Sequence, residues 1–311
     1  MIGAMLGAHS RCISPPECTF KFNVLHAEQR SDDDDAHLKR MLLGLMRTQS
    51  FANWQFDLDA DEVPLDTMDG SPRVLLEWIV RRYAEFVGKS EADIWIDHTP
   101  TNTRYLITLT KIFPESKVIH LVRDGRAVAS SVLPLDWGPN SAPRAGFWWV
   151  ESVSYGLAAE SMLPPDRIIR VRYEDIVQDP DRMIEKLCAF IGVQPQSDMT
   201  SDVGYRTPSH LRKTHALVGK RPDPTRINQW EQKLTERQIE MFEAYSCQML
   251  SYLGYEMKYG VYARRMTRSE SLGIFLTEAC RSFLTNRIRL RRRLAVYNRT
   301  PKPEKRPAIS P

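Results

Sequence analysis

The chain holds 311 residues, 42% of them hydrophobic and 26% charged, enough to bury one large α/β domain or two small ones without disulfides or metal. Its five cysteines (Cys12, Cys18, Cys188, Cys247, Cys280) are scattered and include no C-x-x-C pair, which excludes a zinc ribbon and a disulfide framework. The net charge of +4 conceals an asymmetry, because Val261–Pro311 carries 13 Lys/Arg against 3 Asp/Glu, leaving −6 for the rest.

Met1–Ser10 is apolar but short, with no basic leader or cleavage site, and reads as a helix interior and not as a signal peptide. No run approaches the ~18 apolar residues of a membrane span. Asp32–Asp35 reads as a solvated loop. Leu75, Ile79, Tyr83 and Phe86 recur at helical spacing after Ser71-Pro72, predicting a helix over Val74–Val87. A short β-rich run, Asp93–Ile96, precedes a helix over Asn102–Phe113 that stops at Pro114. Lys117–Val122 (KVIHLV) is the best buried strand, and Asp124–Leu133 the helix after it. Helix Arg144–Met162, strand Arg167–Val171 and helix Asp179–Ile191 follow, the last with Pro180 in its first turn and Gly192 past its end. Ser201–Asn228 is polar and loop-like. Thr235 is the expected N-cap of an amphipathic helix ending at Leu253. Ser271–Leu294 predicts one more helix, and Thr300–Pro311 reads as disordered. Alternating strands and helices predict a parallel sheet flanked by helices.

Lys117–Ser131 carries the densest chemistry. A buried strand delivers Arg123 to its carboxyl end, where open α/β sheets bind ligands. Asp124-Gly125 turns the chain, and Ser131 follows about two helical turns on. An arginine fork with a hydroxyl suits a phosphate. On spacing alone, a strand-end ion pair of Arg123 with Asp124 or Glu174 is an equally open reading.

This strand–turn–helix, with its L-V-R-D-G-R-A wording, resembles the sulfotransferases that use 3′-phosphoadenosine-5′-phosphosulfate (PAPS), in their carbohydrate, bacterial and tyrosylprotein branches. Further similar pieces occur in the right order: Asp97-His98-Thr99-Pro100, Arg172-Tyr173-Glu174-Asp175 with Asp179-Pro180, Lys220 ten residues before Trp230 and Leu234, and Leu253-Gly254-Tyr255. The resemblance implies a P-loop-NTPase-like fold and sulfuryl transfer from PAPS to a hydroxyl of a sugar, tyrosine, lipid or metabolite, with PAP as product and no metal. Arg123, Ser131, Lys220 and Arg226 would then bind cofactor and Tyr173 lie near the adenine. Glu17, rigidly presented behind Pro15-Pro16, would be the base. His98 stands where the tyrosylprotein branch has a lysine and would support developing charge if protonated, although imidazole titrates near neutrality. Phe147-Trp148-Trp149 reads as core or as a wall of the acceptor pocket.

The family's phosphosulfate loop, close to P-R-S-G-T-T, has no counterpart in this sequence. The expectation is therefore an α/β domain over 1–256 lacking its first strand and P-loop, with weak PAPS binding and low solubility, followed by a basic helix and tail over 257–311. A non-catalytic nucleotide-binding remnant is the second reading. A P-loop phosphotransferase is disfavoured, since no G-x-x-x-x-G-K-[ST] occurs. The basic run Arg287–Arg293 follows apolar Leu272–Leu276 and reads either as a solvated, partly disordered extension with no partner or as a surface for an anionic membrane or, without specificity, polysaccharide or nucleic acid. These features place the chain in the cytoplasm, peripheral to a membrane, and leave its oligomeric state open.

Overall fold

A computed structural model describes residues 1–26, 34–63, 72–135, 138–200, 221–285, 287–288 and 290–291. Lys220, most of the polar stretch 201–228 and the terminal segment 300–311 lie outside the described residues. The chain forms two compact units, one taking in Met1–Glu115 and Ile184–Arg221, the other Ser116–Met183 and Pro222–Arg299.

In the first unit, α1 (Ile2–Ala8) leads into β1 (Cys12–Ile13), and α2 (Lys21–His26), α3 (Asp34–Met46), α4 (Gln49–Ala52) and α5 (Pro72–Phe86) follow. The expected acidic loop is corrected in part. Asp34 and Asp35 open α3, where the helix dipole favours acidic residues, while Asp32 and Asp33 lie outside the described residues. β2 (Ile94–Trp95) pairs in parallel with β1, Ile13 opposite Trp95. The predicted helix after it begins as a 3₁₀ stretch, Pro100–Tyr105, before α6 (Leu106–Ile112). Apolar burial concentrates on an aromatic cluster in which Phe20, Phe51, Trp54, Phe56 and Tyr83 meet with ring centroids 5.0 to 6.5 Å apart. Lys89 donates to the carbonyls of Gly7, His9 and Cys12 at 2.5, 2.9 and 3.0 Å, satisfying acceptors that the end of α1 leaves open.

The second unit is built on β3 (Val118–Val122) and β4 (Ile168–Arg172), parallel and in register from Val118–Ile168 to Val122–Arg172. Between them run α7 (Gly125–Val132) and α8 (Ala142–Met162). α9 (Tyr173–Gln178) leaves β4 directly, and α10 (Pro180–Ile191) carries the chain back to the first unit. After a 3₁₀ turn, Pro224–Arg226, come α11 (Trp230–Lys233), α12 (Glu236–Tyr252) and α13 (Arg268–Cys280). Thr235 caps α12 in a reciprocal box with Gln238, as its position predicts. α13 passes into a π turn over Arg281–Thr285, and the described residues 287, 288, 290 and 291 beyond it are again helical. The α/β character and parallel pairing hold, but among the described residues the sheets are two separate pairs of strands, and helix dominates.

Candidate active site

In the first unit, Glu17 lies four residues past β1 and His98 three past β2, both beyond the carboxyl ends of a parallel pair. The Glu17 segment is pinned from several sides. Pro15 and Pro16 are buried, and the Trp54 indole donates to the Glu17 carbonyl at 3.3 Å. The Cys18 amide donates to Thr99 Oγ1 at 2.7 Å, and that hydroxyl donates on to Asp97 Oδ1 at 2.6 Å. Lys21, 1% exposed, meets Asp97 Oδ2 at 2.7 Å and also reaches the Cys18 carbonyl. The loop bearing Glu17 is thereby tied to the loop bearing His98.

Electrostatics differ among these groups. Glu17 reaches solvent, yet desolvation by its surroundings, aided by the negative charge of Asp97, pushes its carboxyl above the ordinary range. Burial would push Asp97 up, but Lys21 and Thr99 outweigh it and hold that carboxyl below its usual value. Burial lowers His98 below its ordinary value, which favours the uncharged imidazole. Desolvation disfavours the cation. His98 packs so closely on α1 that a Cβ at Gly3 would fall 2.7 Å from its Cδ2 and 3.1 Å from Ser14 Oγ. That Ser14 hydroxyl is buried without a hydrogen-bond partner.

In the second unit, Arg123 stands at the carboxyl end of β3. Its guanidinium lies 4.0 Å from the centroid of the Tyr173 ring, and its buried Nε has no hydrogen-bond partner. The alternative of a strand-end ion pair is corrected, because both candidate acids are already engaged. Asp124 accepts from Arg126 Nη2 at 2.7 Å. Glu174 accepts from the Asp124 amide at 3.0 Å and from the Tyr255 hydroxyl at 3.1 Å, and burial pushes that phenol upward. The Trp149 indole donates to the Arg123 carbonyl at 3.1 Å, fixing the backbone beneath the guanidinium. Trp149 is buried while Phe147 is exposed, so the aromatic cluster splits between core and surface.

Ser131 is exposed on α7, its hydroxyl donating to the Ala127 carbonyl at 2.9 Å and keeping lone pairs free to accept. Arg226 ends the 3₁₀ turn, which packs on α9, and lies 3.6 Å from Asp223. The structure thus brings Glu17 and His98 into one cluster and Arg123 and Tyr173 into another.

Two groups escaped the sequence reading. Lys21 carries no pattern that distinguishes it from a surface lysine; only tertiary burial reveals it. Arg126 is visible within R-D-G-R but was given no role. It bridges Asp124, Glu243 and the Glu256 carbonyl and stacks on Trp230. Glu243, fully buried, also accepts from the amides of Lys258, Tyr259 and Gly260.

A parallel pair of strands ending in an arginine, with a capped helix and an aromatic ring beside it, defines an α/β protein with a polar cluster at a strand end. The profile of the Sulfotransferase family matches residues 1–198, and the chain belongs to that family. It is 28% identical to carbohydrate sulfotransferase 2 of Mus musculus over 185 residues, covering 45% of this chain and 35% of that protein. With protein-tyrosine sulfotransferase 1 of Danio rerio it shares 22% over 248 residues, covering 74% and 66%. The chain therefore spans about a third of the first relative's length. The sulfotransferase domain from the Synechococcus PCC 7002 olefin synthase has a similar fold, with a TM-score of 0.57, 22% identity and coverage of 82% of this chain and 90% of that one.

Proposed function

We propose that residues 1–256 form a sulfotransferase domain that moves the sulfuryl group of PAPS to a hydroxyl acceptor, and that 257–311 is a basic extension of it. The observation that carries this reading is Arg123: a guanidinium stacked on Tyr173, with a buried Nε that no described group satisfies. A buried donor of this kind is costly unless something accepts from it, and a nucleotide phosphate is a fitting acceptor. Tyr173 offers its ring to an adenine, Ser131 and Arg226 supply further polar contacts, and family resemblance adds Lys220. PAPS, as co-substrate, supplies an activated sulfuryl group.

The residues of the first unit take the proton chemistry. Glu17 accepts the acceptor hydroxyl's proton, and its raised carboxyl makes it a better base than an ordinary surface glutamate. The neutral His98 donates a hydrogen bond to developing charge. Lys21 and Asp97 position both loops. The acceptor is a hydroxyl, in keeping with the relatives' names, which point to carbohydrate and to protein tyrosine.

Calorimetric titration of the chain with PAP tests the reading. Saturable binding that Arg123→Ala abolishes is the expected result. A folded chain that binds no PAP at millimolar concentration would overturn it, and binding without sulfuryl transfer would favour the non-catalytic reading.

A further inference from the structure

α13 is docked through the charged Glu278, with Arg281 of the following turn beside it. Glu278, buried, accepts from Ser141 Oγ at 2.5 Å and from Arg144 Nη1 at 2.9 Å, and Arg281 donates to the Leu133 carbonyl at 2.9 Å. By helical periodicity Ile274 shares the inner face with Glu278. Leu272 and Leu276 lie on the far side of the helix by the same periodicity, Phe275 flanks Glu278 and Phe283 follows in the π turn, each 57% to 66% exposed. A helix that anchors itself by charge and shows its apolar residues outward reverses the usual arrangement, and an apolar patch of this kind marks a contact surface. Thr267 fixes the start of α13 through a capping box, so the face is presented on a regular helix.

Charge decides what the face fits. Arg265 and Arg268 are exposed ahead of the apolar stripe and Arg287 and Arg291 beyond it, with the Arg287 guanidinium 5.4 Å from the Phe283 ring centroid. The acids between Val261 and Arg291 are Glu270 and Glu278, and both are engaged, Glu270 by Arg237 and Glu278 by Arg144. The stripe is therefore framed by uncompensated positive charge. A second copy meeting this face would set arginine against arginine. An anionic bilayer offers apolar depth and negative headgroups together. No described helix is long and apolar enough to cross a membrane.

We infer that α13 and the turn after it form an interfacial element that seats the exposed Leu272, Phe275, Leu276 and Phe283 on an anionic lipid surface. This inference stands apart from the sulfotransferase reading and does not rest on PAP binding.

Co-sedimentation of the full chain with phosphatidylcholine vesicles, with and without phosphatidylserine, tests it. The chain is expected to pellet with the phosphatidylserine vesicles and to be released by salt. The pairs Phe275→Ser/Leu276→Ser and Arg268→Ser/Arg287→Ser are each expected to weaken binding about tenfold or more with unchanged melting, since all four side chains are exposed. Three outcomes would overturn the inference: a folded chain that ignores anionic vesicles, apolar variants that bind like the parent, or a dimer that Phe275→Ser/Leu276→Ser splits without any vesicle binding.

Discussion

Arg123 and Tyr173 meet because Val122 and Arg172 are ladder partners at the last register of β3 and β4. The next residue of each strand leaves the sheet beside its neighbour, and the guanidinium settles 4.0 Å from the ring centroid. A stack of this kind holds the arginine's plane while leaving its N–H edge free. Arg123→Ala and Tyr173→Leu should therefore both weaken PAP binding, and non-additively. The double variant should bind little worse than Arg123→Ala alone, with a coupling of roughly 0.5–2 kcal/mol. Calorimetry on the four proteins measures it, and strictly additive losses would mean that Tyr173 does not orient Arg123.

Gly125 follows Asp124 where α7 starts, and its lack of a side chain is a packing requirement. A Cβ there would fall 2.5 Å from Trp149 Cδ2 and 2.6 Å from Phe242 Cζ. Trp149 is the residue whose indole holds the Arg123 carbonyl. Gly125→Ala should cost about 1–3 kcal/mol of stability through overpacking and weaken PAP binding together with it. Urea unfolding reads the first effect; an unchanged midpoint would show that both rings can move aside.

The second unit was largely legible in the sequence and the site of the first only in part. β3 is a continuous apolar run and α12 begins at a reciprocal cap, so periodicity and capping chemistry locate both. The strand end that carries Arg123 is readable from the apolar run, but whether Asp124 or Glu174 pairs with it is not, because only the fold shows those acids occupied by Arg126, a backbone amide and Tyr255. Lys21 was invisible for a different reason. A lysine after E-C-T-F reads as surface, and its burial depends on Asp97, which is distant in sequence. The burial that lowers His98 has no sequence signature either.

Lys21 and Asp97 form a buried pair at 2.7 Å, and breaking it should be costly. Lys21→Met leaves Asp97 without its cation, and a loss of ~3 kcal/mol is expected near neutral pH. The sign with pH is specific. In the parent, Asp97 is held below its unfolded value, so its contribution is present above the unfolded pKa of about 3.9 and is lost as pH falls through the folded one. In Lys21→Met, burial is opposed only by the Thr99 hydrogen bonds and the carboxyl rises relative to the parent, so the penalty is greatest at neutral pH and shrinks in acid. Denaturation at two pH values checks this, and Lys21→Met/Asp97→Asn should recover part of the loss. An equal penalty at both would indicate that lost packing, not the orphaned charge, is responsible.

Glu17 offers the sharpest separation of chemistry from structure. Desolvation and the charge of Asp97 raise its carboxyl, so the folded protein holds the proton more tightly than the unfolded chain does. Stability from this group is present below the unfolded pKa and lost as pH rises through the folded one. At neutral pH, ionised Glu17 is thus mildly destabilising, and Glu17→Gln should melt no lower than the parent. The backbone anchors are untouched by the change, since Trp54 binds the Glu17 carbonyl oxygen and not its carboxylate. Loss of a general base, by contrast, should lower kcat by roughly 10²–10⁴-fold while PAP binding stays unchanged. The parent's rate should rise with pH along a limb set above the ordinary glutamate value, and that limb should vanish in Glu17→Gln. Melting curves, PAP titration and a pH–rate profile on the two proteins give the three readings. A variant that loses stability and PAP binding along with activity would assign Glu17 to the architecture and remove it from the chemistry.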